Sequence, residues 1–418
     1  MRIELITIGA ELLTGQTLNT HQFWIGGELA RRGYPVSRQE TIPDTPEAIV
    51  RSVREALDRS EVVITTGGLG PTSDDRTREA LAEALGFPLE HDDRIAKRIE
   101  EMFARRRRPM PPSVLVQALI PKGGRVFDND FGTAPGLGLP VNDGAKWVLM
   151  APGPPRELRP IFIDRLIPFL QETFPLRAPY IEQILRTTGL GESRVQDMVE
   201  PKMQDLIDRG LEIGYCARPG EVDLRLSAQT SDATTLTKTA RDRAFALLTD
   251  WTFAESETNL ETVVIELALK HGWTLATAES CTGGHIANRL TNVAGASGAF
   301  LAGLVTYANE AKEGLLGVQK STLETHGAVS EPVAREMVAG ARRATGADLA
   351  VAVTGIAGPS GGTEDKPVGT VYIAVESPSG VTVQKHINAS DRETFKYLTA
   401  QQSLEGMRRA LIKGPQPA

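Results

Sequence analysis

One recurring phrase restricts the fold more than any other feature of the chain. Short runs of apolar, largely β-branched residues without polar alternation end near glycine and lead into helix-periodic stretches. The phrase occurs at Ile3–Gly9, at Val62–Thr65 before Gly67-Gly68, at Trp147–Ala151 before Pro152-Gly153, at Trp273–Ala278 and at Val351–Thr354. A strand with one wet face alternates, whereas a strand apolar along its length is covered on both faces, as in a parallel sheet between helix layers. Helical periodicity over Thr20–Arg31, Pro46–Asp58 and Asp75–Leu85 supplies the crossovers such a sheet needs. The expectation is an α/β protein.

With 418 residues, the chain exceeds a typical domain of roughly 150 residues and is expected to hold three. The first runs from 1 to about 172. A small α+β domain follows over 173–254, with a helix at Glu192–Arg209, strands near Leu211–Tyr215 and Glu221–Ala228 joined by the Arg218-Pro219-Gly220 turn, and a helix over 232–249. The third domain, 255–413, returns to strand–loop–helix alternation, and the tail Lys413–Ala418 is expected to fray.

Charge and cysteine use exclude several classes. Lys and Arg number 46 against 53 Asp and Glu, a net charge of −7 that offers no global attraction to nucleic acid or anionic lipid. The basic block Arg105–Arg108 follows Glu100-Glu101 and reads as a solvated helix end. Cys216 and Cys281 stand far apart without C-x-x-C spacing, which argues against a disulfide framework or structural zinc and fits a reducing cytoplasm. No run of about 18 apolar residues and no leader-like N-terminus occurs, so neither membrane span nor export is expected.

Two regions carry chemistry. In the first domain, Gly67-Gly68-Leu69-Gly70-Pro71-Thr72 leaves a strand and enters a helix that contains Thr77. Such a loop can bring N–H groups to an anion, or it can be a tight turn with Ser73 or Asp74 as N-cap. Ligands of open α/β sheets lie beyond the carboxyl ends of the strands, where Asp44 and Asp75 can converge as paired carboxylates for a divalent cation. The turns Asn129–Gly136 and Pro152–Glu157 either line the same crevice or are structural.

In the third domain, Glu279-Ser280-Cys281-Thr282-Gly283-Gly284 joins a strand to the helix His285–Asn292. A serine at such an elbow can act as nucleophile with helix-start N–H groups as oxyanion donors, though Ser280 or Thr282 can equally be an N-cap. Cys281 is read as packing. The next strand, Ala302–Tyr307, delivers Tyr307 and Lys312 to the same end; a desolvated lysine can take a serine proton, whereas a surface lysine cannot. Thr354, Gly355 and Gly358 open a glycine-dense loop suited to phosphate, and Arg392 adds an anion contact.

These motifs in this order, Gly67–Thr72 with Asp74-Asp75, Gly132-Thr133-Ala134-Pro135-Gly136 and Glu279–Gly284, resemble the bacterial competence/damage-inducible CinA family over nearly the whole chain. The resemblance implies a three-layer molybdopterin-binding-like first domain with metal-dependent ADP-ribose pyrophosphatase activity. It implies a KH-like middle domain, here without a Gly-x-x-Gly loop and with no RNA partner. It implies a C-terminal amidohydrolase domain that converts nicotinamide mononucleotide (NMN) to nicotinate mononucleotide and ammonia without a cofactor, in pyridine-nucleotide recycling. Ser280, Lys312 and Tyr307 then take catalytic roles, with Thr282, Gly283, Thr354, Gly355, Gly358 and Arg392 as substrate contacts. Gly67, Gly68, Gly70, Thr72 and Thr77 hold phosphate in the first domain, and Asp44 and Asp75 hold its metal. A cytoplasmic homodimer is implied as well. Thr20-His21-Gln22, Val114, Ser390 and Lys396 depart from the family pattern. A non-catalytic protein that binds a nucleotide or pterin is the rival reading.

Overall fold

The computed structural model describes residues 1–414; the last four residues of the proposed frayed tail lie outside that range. Two compact units divide the chain, Met1–Ile181 with Gln229–Ser231 and Glu182–Ala228 with Asp232 onward. Among the described residues no helix is long and apolar enough to cross a membrane.

The first unit is built on a six-stranded sheet. Its strands are β1 (Ile3–Ile8), β2 (Val36–Ile42), β3 (Val62–Thr66), β6 (Arg125–Phe127), β7 (Gly136–Val141) and β8 (Lys146–Ala151), ordered β2-β1-β3-β8-β7-β6; a separate short pair, β4 (Leu89–His91) and β5 (Leu119–Pro121), is antiparallel. β1 and β3 are buried at every residue, as their apolar runs require. The contacts β1–β2, β1–β3 and β3–β8 are parallel, but β7 and β6 add antiparallel neighbours beyond β8. Two apolar clusters cover the faces, one around Ile6, Val63, Leu81 and Ile99, the other around Leu5, Ile64, Leu29 and Phe162. The sheet is therefore sandwiched between helix layers.

The helix expected from Asp75 begins at Thr77 instead. Asp75 is held back by its own turn: its Oδ2 accepts from the Thr72 N–H at 3.1 Å and from the Thr72 hydroxyl.

The second unit contains two sheets. The smaller, in the order β10-β11-β9-β12, comprises β9 (Tyr180–Thr188), β10 (Leu211–Arg218), β11 (Glu221–Gln229) and β12 (Thr252–Ala254). The helix expected over Glu192–Arg209 is broken at Pro201: helices Glu192–Val199 and Gln204–Ile207 flank a 3₁₀ turn, because proline cannot donate to the ladder. The larger sheet, in the order β14-β13-β15-β16-β17, has β13 (Leu275–Glu279), β14 (Phe300–Val305), β15 (Leu349–Gly355), β16 (Thr370–Ser377) and β17 (Gly380–Ile387). β13, β14 and β15 are parallel, and β16–β17 is an antiparallel hairpin. One face packs on Val264, Ile286, Phe395 and Leu404, the other on Leu316, Val333, Met337 and Ala341.

Candidate active site

At the carboxyl ends of β13, β14 and β15 lies a cavity of about 350 Å³. Ser280, Tyr307, Asn309, Lys312, Thr354, the loop from Gly355 to Gly361 and Arg392 line it. Parallel register explains the convergence: Glu279 pairs with Val305 and with Val353, so the residues that follow each strand emerge side by side.

Lys312 is the most unusual group there. It sits on the helix Asn309–Leu316, is 1% exposed, and its Nζ donates to the carbonyls of Thr306 at 3.0 Å and Tyr307 at 3.1 Å. Burial pushes its pKa below the ordinary lysine value, against weaker opposing influences of Cys281 and Glu310. A neutral amine has two N–H bonds and one lone pair. The two carbonyls use both bonds and leave the lone pair uncommitted.

Ser280 is nearly buried, and its N–H is anchored on the carbonyl of Val353 at 3.1 Å. Beside it Cys281 is buried and its thiol is pushed up to about 12, first by burial and also by the charge of Glu279, so the thiolate is scarcely populated near neutrality. Cys281 nevertheless lines the cavity.

The oxyanion donors differ from expectation. Neither Ser280 nor Thr282 caps the helix His285–Thr291; the fully buried Glu279 carboxylate does, accepting from the N–H groups of Gly284 (3.0 Å), Ile286 (3.1 Å) and Ala287 (2.8 Å). Those three helix-start N–H groups are therefore spent. The N–H groups of Cys281 and Thr282, immediately after the serine, face the Cys281 sulfur.

Several expected substrate contacts are placed elsewhere. Thr282 is fully buried with an unpartnered hydroxyl, and neither it nor Gly283 lines the cavity. Thr354 lines it, yet its hydroxyl donates to the carbonyl of Ala328 at 2.7 Å, which leaves an oxygen lone pair rather than a proton for a ligand. The Tyr307 hydroxyl accepts from Arg392 Nη2 at 2.9 Å, and Arg392 Nη1 donates to the carbonyl of Gly358 at 3.1 Å. Arg392 thus links β14's exit to the glycine loop. Asn309 and Ser360 join the lining without having been singled out, since an isolated Asn or Ser in a loop carries no pattern.

The first unit has a larger cavity, about 510 Å³, at the carboxyl ends of β1 and β3. Gly67, Gly68, Gly70, Asp44 and Asp75 line it, together with Glu11, Asn19, His21, Asp74, Gln117 and Glu157. Thr72 and Thr77 do not: Thr77 is fully buried and donates to the Gly67 carbonyl at 3.0 Å. Packing already demands two of the glycines. A Cβ on Gly67, whose φ is +102°, would lie 2.5 Å from the Ile8 carbonyl oxygen, and one on Gly68 would strike the Thr77 hydroxyl. The N–H groups of Gly68, Leu69 and Gly70 nevertheless take no partner among the described residues. Asn19 organises the rim by accepting from the Gln22 N–H at 3.3 Å and donating to Thr7 Oγ1 at 2.7 Å. His21 Nδ1 lies 3.3 Å from Thr66 Oγ1, and burial, then Arg159, holds its pKa down.

Among the described residues no group of three or more His, Cys, Asp or Glu side chains could hold a metal. Asp44 and Asp75 line the cavity with the further carboxylates Glu11, Asp74 and Glu157.

Family models cover most of the chain. "Probable molybdopterin binding domain" matches residues 4–172, "Damage-inducible protein CinA KH domain" matches 182–244, and "CinA C-terminal domain" matches 257–411. The chain is 41% identical over 416 residues to a "CinA-like protein" of Akkermansia muciniphila, covering 99% of both chains. It is also 41% identical over 415 residues to a "Putative competence-damage inducible protein" of Moorella thermoacetica, covering 98% of this chain and 99% of that one. With relatives aligned end to end and three domain models in the expected order, the chain belongs to the CinA family.

Proposed function

We propose that the last domain is an amidohydrolase acting on NMN. The observation that carries this reading is Lys312: a fully buried amine, favoured neutral by desolvation, with both N–H bonds engaged and opening on the cavity that Ser280 lines. A structural lysine gains nothing from such a place, because burying an unpaired ammonium is costly.

In the proposed sequence Lys312 takes the Ser280 proton as Oγ bonds to the carboxamide carbon. The carbonyl electrons move onto oxygen. Collapse breaks the C–N bond; the Lys312 ammonium returns its proton to the leaving nitrogen, and ammonia departs. Water, deprotonated by the same amine, then cleaves the ester to give nicotinate mononucleotide and free Ser280. Tyr307 holds Arg392 through its hydroxyl oxygen, which accepts from Nη2, and keeps its own O–H to donate. Arg392 supplies the fixed fork suited to the ribose phosphate.

In the first domain the free N–H groups of 68–70 beside Asp44 and Asp75 favour a second reading, hydrolysis of ADP-ribose at its pyrophosphate. Asp44 and Asp75 would hold a divalent cation, which when bound neutralises charge on the phosphates. Gly68, Leu69 and Gly70 would orient those phosphates through their N–H groups.

Product analysis by mass spectrometry tests both. Ammonia with nicotinate mononucleotide from NMN, and metal-dependent AMP from ADP-ribose, are expected. A thermal shift with each ligand and no product would favour the non-catalytic binder.

A further inference from the structure

The middle domain's hairpin is joined to the last helix, Arg392–Lys413, by a buried polar network. Gln401, 1% exposed, donates from Nε2 to Glu221 Oε1 at 2.8 Å and to Thr188 Oγ1 at 3.3 Å. Glu221, 2% exposed, also accepts from Arg186 Nη2 at 2.9 Å and Arg218 Nη2 at 3.3 Å. Arg186 continues through Nη1 to the Thr258 carbonyl (2.8 Å) and Asn259 Oδ1 (2.7 Å), where the chain enters the first helix of the last domain. The turn itself is fitted to the helix. A Cβ on Gly220, whose φ is +78°, would stand 3.1 Å from Gln401 Cγ and 3.3 Å from Leu398 Cδ2.

Such burial is costly unless every charge is satisfied, and it orients what it joins more than it stabilises it. Here it joins β9 and β11 to a helix whose first residue is Arg392. Gln401 lies nine residues along that helix, about 13 Å from Arg392 at 1.5 Å per residue. Between them Phe395, Thr399 and Ala400 are fully buried in the core.

We propose that Gln401 and Glu221 are positioning residues for the cavity of the last domain: the hairpin fixes the last helix so that Arg392 reaches both Tyr307 and Gly358. The middle domain then serves as a buttress for an anion-binding arginine. This rests on the amidohydrolase reading only for the identity of the ligand.

The test uses the full chain carrying Gln401→Met, which keeps length and removes the donor. Hydrogen exchange is measured at 392–397 and 355–362, alongside NMN kinetics. Expected are faster exchange in both segments and a KM raised about fivefold to tenfold with kcat within about twofold, the pattern of lost ground-state positioning. Unchanged exchange and KM in a folded Gln401→Met protein would overturn the proposal. Should Gln401→Met fail to fold, Gly220→Ala takes its place with the same criteria. Faster exchange at 392–397 in a chain that never releases ammonia from NMN supports the buttress and contradicts the amidohydrolase reading alone.

Discussion

At the scale of single residues, environment divides three neighbouring candidates into different roles. Ser280, Cys281 and Lys312 all belong to one strand-end cluster, yet burial raises the thiol and lowers the amine, so only the lysine is driven toward its reactive form near neutrality. On the amidohydrolase reading, Cys281→Ala should retain ammonia release within about threefold, and iodoacetamide near pH 7 should not abolish it; a loss of several orders would make the thiol the nucleophile. The sign of the Lys312 shift also fixes a stability effect. Its folded pKa lies below the unfolded value near 10.5, so between the two the unfolded chain binds the extra proton. This group's contribution to stability is present above that window and is lost as pH falls through it. Lys312→Met should therefore raise Tm, and the gain should grow as pH falls from about 10.5 toward the folded pKa. Differential scanning calorimetry across that range checks it, and a gain that shrinks toward acid contradicts the assignment.

That Ser280, Tyr307 and Lys312 share one strand-end cavity was legible in the sequence because each comes after an apolar strand. Their partners were not. That Glu279 takes the helix-start N–H groups depends on a fully buried carboxylate folding back over five to eight residues, a long-range choice with no local pattern.

At the scale of elements, the apolar runs predicted the parallel strands because burial on both faces leaves a one-dimensional signature. The antiparallel edge left less of one: β16 is largely buried, but β17 is mostly exposed. Glu279 holds the turn that follows Ser280. Glu279→Ala would leave the N–H groups of Gly284, Ile286 and Ala287 unsatisfied, each worth about 1–3 kcal/mol when buried. A loss of at least about 3 kcal/mol in denaturant midpoint measurements is expected, larger than that of Glu279→Gln, which retains an acceptor. Equal losses for the two variants would mean that the carboxylate is not the cap.

At the scale of the whole molecule, the cavity lined by Asp44 and the cavity lined by Lys312 lie on two sheets of different construction, each at strand carboxyl ends. If both readings hold, they are chemically separable. Ser280→Ala should abolish ammonia release and leave AMP formation from ADP-ribose unchanged, and Asp44→Asn should do the reverse; paired assays on one preparation of each variant check this. Loss of both products from either variant would point to a shared site. Domain order was readable from changes in strand and helix texture, whereas the network through Glu221 and Gln401 was invisible, since it unites residues 180 positions apart.

The account turns on Lys312 acting as the base for Ser280. Its most direct test is the rate of ammonia and nicotinate mononucleotide formation from NMN by the full chain and by Lys312→Met, compared at the pH optimum. The wild-type chain should convert NMN with one ammonia per nicotinate mononucleotide, and the variant should lose about 10²–10⁴-fold in kcat while remaining folded. A wild-type chain that leaves NMN intact, or a folded Lys312→Met that works at a near-normal rate, would contradict it.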